Sequence, residues 1–498
     1  MAAVPERPEL AAIREYMIVD GKPLAVGVGR VAVYDPAAGE IIAQQVEAGP
    51  EQVDAAVHAA KRALESSPWR DMVPAMRERL LLRLADRIET ESDALARLET
   101  LSNGRPLMIS RMLVAGASQW LRYMAGLATK IAGEELTLSA SFPPGVGYHA
   151  YTRLEPVGVV AAIVPWNFPL LMAIWKVAPA LAAGCTVVLK PAEETPLTSI
   201  RLGELALDVG FPPGVLNVIT GRGEVTGAEL VKHPLVDKIT FTGSTAVGRE
   251  IGRVAIDGVK RVSLELGGKS PVVVMDDCDI DTVVGGIVNA AFFNQGEVCT
   301  AGCRVYVQDS VYDRVIGALA DVTSGMKVGS GFEPDTQIGP MISARHRDRV
   351  AGYIASGREE GARVVAGGTP RKGPGYFVDP TVFSDVARSA RIAREEIFGP
   401  VVAAARFHSD AEAIELANDT PYGLSASIWS NDLSRVERLV PQIKAGTVWV
   451  NTHNIVDPNL PFGGYKQSGF GREHGRRAIE SFLETKSVCI AYPNGRVA

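Results

Sequence analysis

A cysteine among small residues, Cys299 in the run Asn294-Gln295-Gly296-Glu297-Val298-Cys299-Thr300-Ala301-Gly302, follows the carboxylate of Glu265 by 34 residues. A thiol presented on such a turn can attack a carbonyl, and a carboxylate folded beside it can activate water against the acyl group that results. Glu265 ends a strand-like run in which Leu264 and Leu266 take the other face, and Gly267-Gly268 follows, so its carboxylate is expected to project into a cleft. In Pro165-Trp166-Asn167-Phe168-Pro169 the prolines stiffen a loop, which makes the Asn167 amide a candidate fixed donor to an oxyanion and Trp166 and Phe168 packing anchors. Cys303, next to bulky Arg304, reads as packing. No histidine joins the five cysteines at a ligand spacing, so no metal is expected.

Three segments bear on phosphate binding. Gly27 to Ala32 satisfies G-x-G-x-x-A, but no helix follows, and it reads as the entry to a hairpin. Phe241-Thr242-Gly243-Ser244-Thr245-Ala246-Val247-Gly248 joins a strand to a helix, so the first-turn N–H groups and a hydroxyl can face a pyrophosphate; a plain helix cap is the competing explanation. Lys190-Pro191-Ala192-Glu193-Glu194-Thr195-Pro196 ends an earlier strand, where Lys190 can meet ribose or phosphate and Glu193 can accept from ribose hydroxyls and repel a 2′-phosphate, or the segment is a solvated loop. Glu395-Glu396-Ile397-Phe398-Gly399-Pro400 offers a carboxylate and a ring for a sugar and a heterocycle.

These groups need a frame. Residues 51–129 read as helical, with 75–98 as one run; 148–154 reads as a strand excursion and 487–491 as a closing strand. From residue 158, strands at 159–164, 185–190, 215–219, 238–241 and 262–266 alternate with helices at 170–183, 196–207 and 246–255, the signature of a doubly wound parallel sheet. A second α/β unit starts near Gly267, with strands at 271–275, 304–307, 401–407, 425–429 and 447–450 and helices at 283–293, 311–326 and 409–417. At 498 residues, 47% hydrophobic and 22% charged, the chain exceeds one ordinary core. Fifty-one Lys plus Arg against 57 Asp plus Glu, without a basic block, exclude a nucleic-acid surface. The charged start at residues 1–11 argues against export, the interrupted apolar runs argue against a membrane span, and an odd cysteine count suits a reducing, cytoplasmic setting.

Seven ordered segments, PWNFP at 165–169, KPAEETP at 190–196, FTGSTAVG at 241–248, LELGGKSP at 264–271, NQGEVCTAG at 294–302, REEIFGPV at 394–401 and PFGGYKQSGFGRE at 461–473, resemble the hydrolytic branch of the aldehyde dehydrogenase superfamily over nearly the whole chain. The resemblance implies an α/β fold with a Rossmann-like NAD-binding domain (1–131 and 155–267), a catalytic domain (268–475) and an oligomerisation arm with a C-terminal strand (132–154 and 476–498), assembled as a homodimer or homotetramer. It implies Cys299 as nucleophile, Glu265 as general base and Asn167 as oxyanion donor with the Cys299 N–H. Pro165, Trp166, Lys190, Glu193, Gly243, Ser244, Glu396 and Phe398 would hold NAD, preferred over NADP because of Glu193. Phe168, Met172, Trp175, Phe293, Val298, Thr300 and Phe462 would line the tunnel of a small-molecule aldehyde, apolar or aromatic and nonacidic since no arginine is among them. An arylacetaldehyde is expected, with betaine aldehyde or an aminoaldehyde as the alternative. Ala246 and Glu297 depart from the commoner glutamate and glutamine of relatives. A cofactor-independent cysteine hydrolase would leave Lys190 and Ser244 without a role, and a noncatalytic structural protein would have no use for the thiol and carboxylate together.

Overall fold

Buried β-branched runs build the frame. The strands Val159–Ile163 and Thr186–Lys190 are buried at every position, as strands covered on both faces must be. Each such Val, Leu or Ile side chain contributes about 1.5–3 kcal/mol on leaving water. In the computed structural model the described residues are 13–66, 68–139, 143–369, 371 and 373–493. The start at 1–11, and with it the expectation about export, lies outside them, as do 140–142 and 494–498 of the expected arm and C-terminal strand.

Five parallel strands form the centre of the first sheet, in the order Arg261–Glu265, Lys238–Thr242, Val159–Ile163, Thr186–Lys190 and Leu216–Val218. The chain order reverses between Val159–Ile163 and Lys238–Thr242, which opens a crevice at the strands' carboxyl ends. Met17–Val19 and Lys22–Leu24 add antiparallel strands at one edge. At the other edge Gly469–Phe470, from the segment expected in the catalytic unit, pairs with Arg261–Glu265. The helices Pro74–Thr90, Leu107–Ala128 and Pro169–Ala183 pack on one face, and Pro50–Ser66 with Thr245–Asp257 on the other. Pro169–Ala183 is buried along its whole length, starts with a proline and stops at Gly184, whose φ of 96° a side chain would resist.

The second sheet runs Arg363–Ala366, Thr381–Ser384, Val401–Phe407, Arg304–Gln308, Pro271–Val274, Ser425–Trp429 and Thr447–Val450, parallel except for the first pair. The helices Ile280–Phe292 and Asp309–Ser324 cover one face, Asp410–Asn418 and Leu433–Leu439 the other.

Some expectations change. The single helix expected at 75–98 is two, Pro74–Thr90 and Ser92–Asn103, broken at Glu91, which turns out of helical geometry and takes the Arg201 guanidinium. Strands Arg363–Ala366 and Thr381–Ser384 and helix Ala344–Glu359 fall in a stretch where no element was read; that helix opens on Ala-Arg-His-Arg-Asp-Arg, which blurs an apolar stripe. The glycines at 27 and 29 do lead into a hairpin, Gly29–Asp35 against Glu40–Glu47. The closing strand is longer than expected, Leu483–Pro493, and pairs antiparallel along its length with Val146–Pro156. No helix among the described residues is long and apolar enough to cross a membrane.

Candidate active site

The carboxyl ends of the first sheet meet the amino ends of the second, and Cys299 lies at this junction. The helix Ile280–Phe292, capped by Asp279, ends one residue earlier than expected, and the chain then makes three consecutive left-handed residues: Asn294 (φ 49°), Gln295 (φ 59°) and Gly296 (φ 72°). Such geometry costs a non-glycine residue on the order of 1–3 kcal/mol. Asn294 offsets it through its amide, which donates to the carbonyls of Asn167 (3.3 Å) and Glu297 (3.2 Å). A Cβ on Gly296 would stand 2.4 Å from the Gly399 carbonyl oxygen, so only glycine lets these segments pass.

Cys299 is partly accessible and packs against the large apolar cluster of the first sheet. Burial, and then the carboxylates of Glu396 and Glu265, push its thiol up to about 12, against the pull of the Thr300 and Cys299 N–H groups. Gly267 and Gly268 permit the approach: a Cβ on Gly268 would sit 2.3 Å from the Cys299 carbonyl oxygen, and one on Gly267 2.2 Å from Glu396 Oε2.

Asn167 is buried, and its Nδ2 donates to the Glu297 carbonyl at 2.9 Å, inside the cysteine loop. The second amide hydrogen stays available. Glu265 is also buried, with no hydrogen-bond partner for either oxygen among the described residues, and burial holds its carboxyl well above the usual range. Glu473 adds to that rise, while Lys176 and Arg472 oppose it. Lys176 and Glu473, paired by a buried ion pair, went unread in the sequence, as did Arg105 and Asn294.

Of the residues expected to hold a dinucleotide, Lys190 closes its strand with Nζ buried, donating to the Pro191 carbonyl (2.8 Å) and 3.8 Å from Glu193. Ser244 caps Thr245–Asp257 by accepting from the Val247 N–H at 3.4 Å, which bears out the cap and leaves its hydroxyl proton to donate. Gly243 is required, since a Cβ would lie 2.5 Å from the Phe241 ring. Glu396 accepts from the Gly268 N–H (3.1 Å), and burial raises it to about 7. Phe398, at φ 61°, meets the Trp166 ring edge-on at 5.2 Å. Pro165 and Trp166 lead from the strand Val159–Ile163 into the crevice. A buried ammonium and a helix start with its glycine, at the ends of the two strands that flank Val159–Ile163, suit a dinucleotide.

Phe168, Met172, Trp175, Val298 and Phe462 belong to the apolar cluster that Cys299 and Phe293 touch. Phe168 stacks with Phe293 (6.4 Å), and Trp175 meets Phe462 (5.6 Å) and His474 (3.9 Å). Thr300 is instead tied through its hydroxyl to Asn454 (2.8 Å). The Glu297 carboxyl is engaged elsewhere: Oε1 accepts from the Ile342 N–H, and burial holds the carboxyl well above the usual range. Cys303 is buried, as a packing role requires.

Away from this junction Asp54, His58 and His233 bring their ligand atoms within 4.8 Å of one another. Nδ1 of His233 accepts from the Leu235 N–H, which leaves the proton on Nε2, 3.2 Å from Asp54. A hydrogen-bonded cluster accounts for these contacts without an ion.

A model of the Aldehyde dehydrogenase family matches residues 25–488. The chain is 55% identical over 463 residues to the phenylacetaldehyde dehydrogenase of Pseudomonas fluorescens, covering 92% of each, and 44% identical over 462 residues to the mitochondrial aldehyde dehydrogenase of Homo sapiens, covering 92% of this chain and 88% of that one. It superposes with a TM-score of 0.94 on the NAD+ complex of an aldehyde dehydrogenase from Bacillus cereus, at 42% identity over 98% of this chain and 99% of the other. The betaine aldehyde dehydrogenase of Staphylococcus aureus, also in complex with NAD+, gives a TM-score of 0.94 at 38% identity, covering 98% and 97%.

Proposed function

The chain belongs to the aldehyde dehydrogenase family, and from that premise we propose how its site works and which aldehydes it takes. The reaction is the NAD-dependent oxidation of an aldehyde to its carboxylic acid. NAD, when bound, supplies the hydride acceptor. Lys190, Glu193 and Ser244 would hold its adenosine and pyrophosphate, and Glu396 and Phe398 the nicotinamide end; the carboxylate of Glu193 supports NAD over NADP.

Cys299 gives up its proton to solvent water and attacks the carbonyl carbon; the C–S bond forms as the carbonyl electron pair moves to oxygen. The Asn167 amide and the Cys299 N–H stabilise that oxyanion, and losing one such donor typically costs about 10²–10³-fold in rate. Hydride loss from the carbon restores the carbonyl as a thioester. Glu265 then takes a proton from water, the hydroxide adds, and the Cys299 thiolate leaves as the acid forms. The burial that raises Glu265 makes it a stronger base once ionised.

The observation that carries the substrate assignment is the aromatic pairing within the apolar cluster against which Cys299 packs, Phe168 with Phe293 and Trp175 with Phe462. It favours an arylacetaldehyde, the substrate class in the name of the Pseudomonas fluorescens relative. Aromatic faces also attract quaternary ammonium groups, so betaine aldehyde is the rival. The test is NADH formation at 340 nm across phenylacetaldehyde, betaine aldehyde, an aminoaldehyde, an aliphatic aldehyde and a semialdehyde. Phenylacetaldehyde is expected to give the highest kcat/KM, and a higher value for betaine aldehyde overturns the assignment.

The ribbon of Leu483–Pro493 and Val146–Pro156 exposes Ile490 and Tyr492. A narrow ribbon with an apolar surface supports a homodimer or homotetramer joined there. Five free cysteines support a cytoplasmic setting.

A further inference from the structure

We infer that Arg105 is a positioning residue for this reaction: it locks the backbone of the Trp166–Asn167 loop and so aims the Asn167 amide at the aldehyde oxygen. The inference rests on the role proposed above for Asn167.

Arg105 follows the helix Ser92–Asn103 after Gly104, which turns at φ 88° into a gap where a Cβ would meet Pro340 and Pro36 at 2.6 and 2.8 Å. The guanidinium is fully buried. Its Nη2 donates to the Asn167 carbonyl at 2.6 Å, and its Nε to Asn103 Oδ1 at 2.9 Å, while Asn103 Nδ2 donates to the Trp166 carbonyl at 3.1 Å. Two consecutive carbonyls of the loop are thus held from one side.

The other side closes a ring. The Asn167 carbonyl also accepts from Asn294, whose amide reaches the Glu297 carbonyl, and that carbonyl receives the Asn167 side chain. The guanidinium also lies 5.3 Å from the centre of the Phe168 ring, which stacks on Phe293. Arg105 therefore touches the backbone of the Trp166–Asn167 loop and the Phe168 ring.

Stability alone does not account for it. The nearest carboxylate, Glu99, is 3.9 Å away and accepts from the Leu170 N–H, and Arg105 Nη1 has no hydrogen-bond partner among the described residues. A buried guanidinium so thinly compensated is seldom more favourable than an apolar side chain of similar volume. What an apolar side chain lacks is the planar pair of donors that fixes two groups at once. Displacing a reacting group's partner by about 1 Å costs on the order of 10²-fold in rate.

The test is a double-mutant cycle in the full-length enzyme between Arg105→Met and Asn167→Ala, read as kcat/KM for aldehyde oxidation. Each single variant is expected to lose about 10²-fold. The double variant is expected to lose no more than Asn167→Ala alone, with NADH affinity by fluorescence and aldehyde KM within about twofold of wild type. Multiplicative losses, an Arg105→Met enzyme within twofold of wild type, or an Asn167→Ala enzyme without loss each overturn the inference. If Arg105→Met does not fold, Arg105→Lys keeps the charge without the fork, and the same cycle is expected to show a smaller, still non-additive loss; additivity there overturns it as well. A wrong substrate assignment shows in the unsubstituted enzyme as poor phenylacetaldehyde turnover beside another aldehyde, and the cycle is then run with that aldehyde.

Discussion

Glu265 keeps both carboxylate oxygens in the interior without a hydrogen-bond partner among the described residues, which makes it a poor structural ion and a strong base once ionised. Two carbonyl additions are needed per turnover, one by sulfur and one by water, and the proposed mechanism gives the second to Glu265. Glu265→Gln is therefore expected to retain a first-turnover burst of NADH in stopped-flow absorbance while steady-state acid formation falls about 10²–10⁴-fold. Steady-state rates equal to wild type would remove Glu265 from the water step. Cys299, Glu265 and Asn167 stood out as candidates because each stands in a run whose glycines or prolines announce an unusual backbone. Arg105, Lys176 and Glu473 were not. Charged residues in helical or loop segments read as solvated, and what buries them comes from distant chain: Glu473 reaches Lys176 across 297 positions.

At the scale of elements, the parallel strands were legible from continuous β-branched runs and their helices from the apolar period. The turn that presents the thiol was not, since in Phe293-Asn294-Gln295-Gly296 only the asparagine and the glycine tolerate left-handed geometry and neither announces a run of three. Its conformation is imposed by the Asn167 and Gly399 carbonyls on either side. Gly296→Ala must move one of those segments as well as hold a positive φ. It is expected to slow alkylation of Cys299 by iodoacetamide at least about tenfold and to lower stability by about 1–3 kcal/mol in denaturant titrations. Unchanged alkylation would mean that the turn does not set the thiol's approach.

Across the whole molecule, the junction of the two sheets buries neutral imidazoles as well as carboxyls. His453 bridges Ser427 (2.9 Å) and the Thr300 carbonyl (2.8 Å), and burial lowers it to about 4. In the unfolded chain a histidine takes up its proton near pH 6.5. The neutral form thus contributes stability fully above about pH 6.5, and that contribution is lost as pH falls through about 4. His453→Gln cannot titrate, so the fall in its Tm between pH 7 and pH 5 is expected to be smaller than that of wild type; equal slopes in calorimetry would exclude His453 as a source. The sequence by itself determined the strand and helix alternation and singled out the Cys299 thiol, the Glu265 carboxylate and the Asn167 amide as candidates, because local period and turn composition act over a few residues. Only the tertiary structure decided that Cys299 and Glu265 share one junction, that the Glu297 carboxyl is taken by the Ile342 N–H, and that Arg105 and Asn294 hold the Asn167 carbonyl. Those outcomes depend on burial and on hydrogen bonds between segments tens to hundreds of residues apart, which no local pattern encodes.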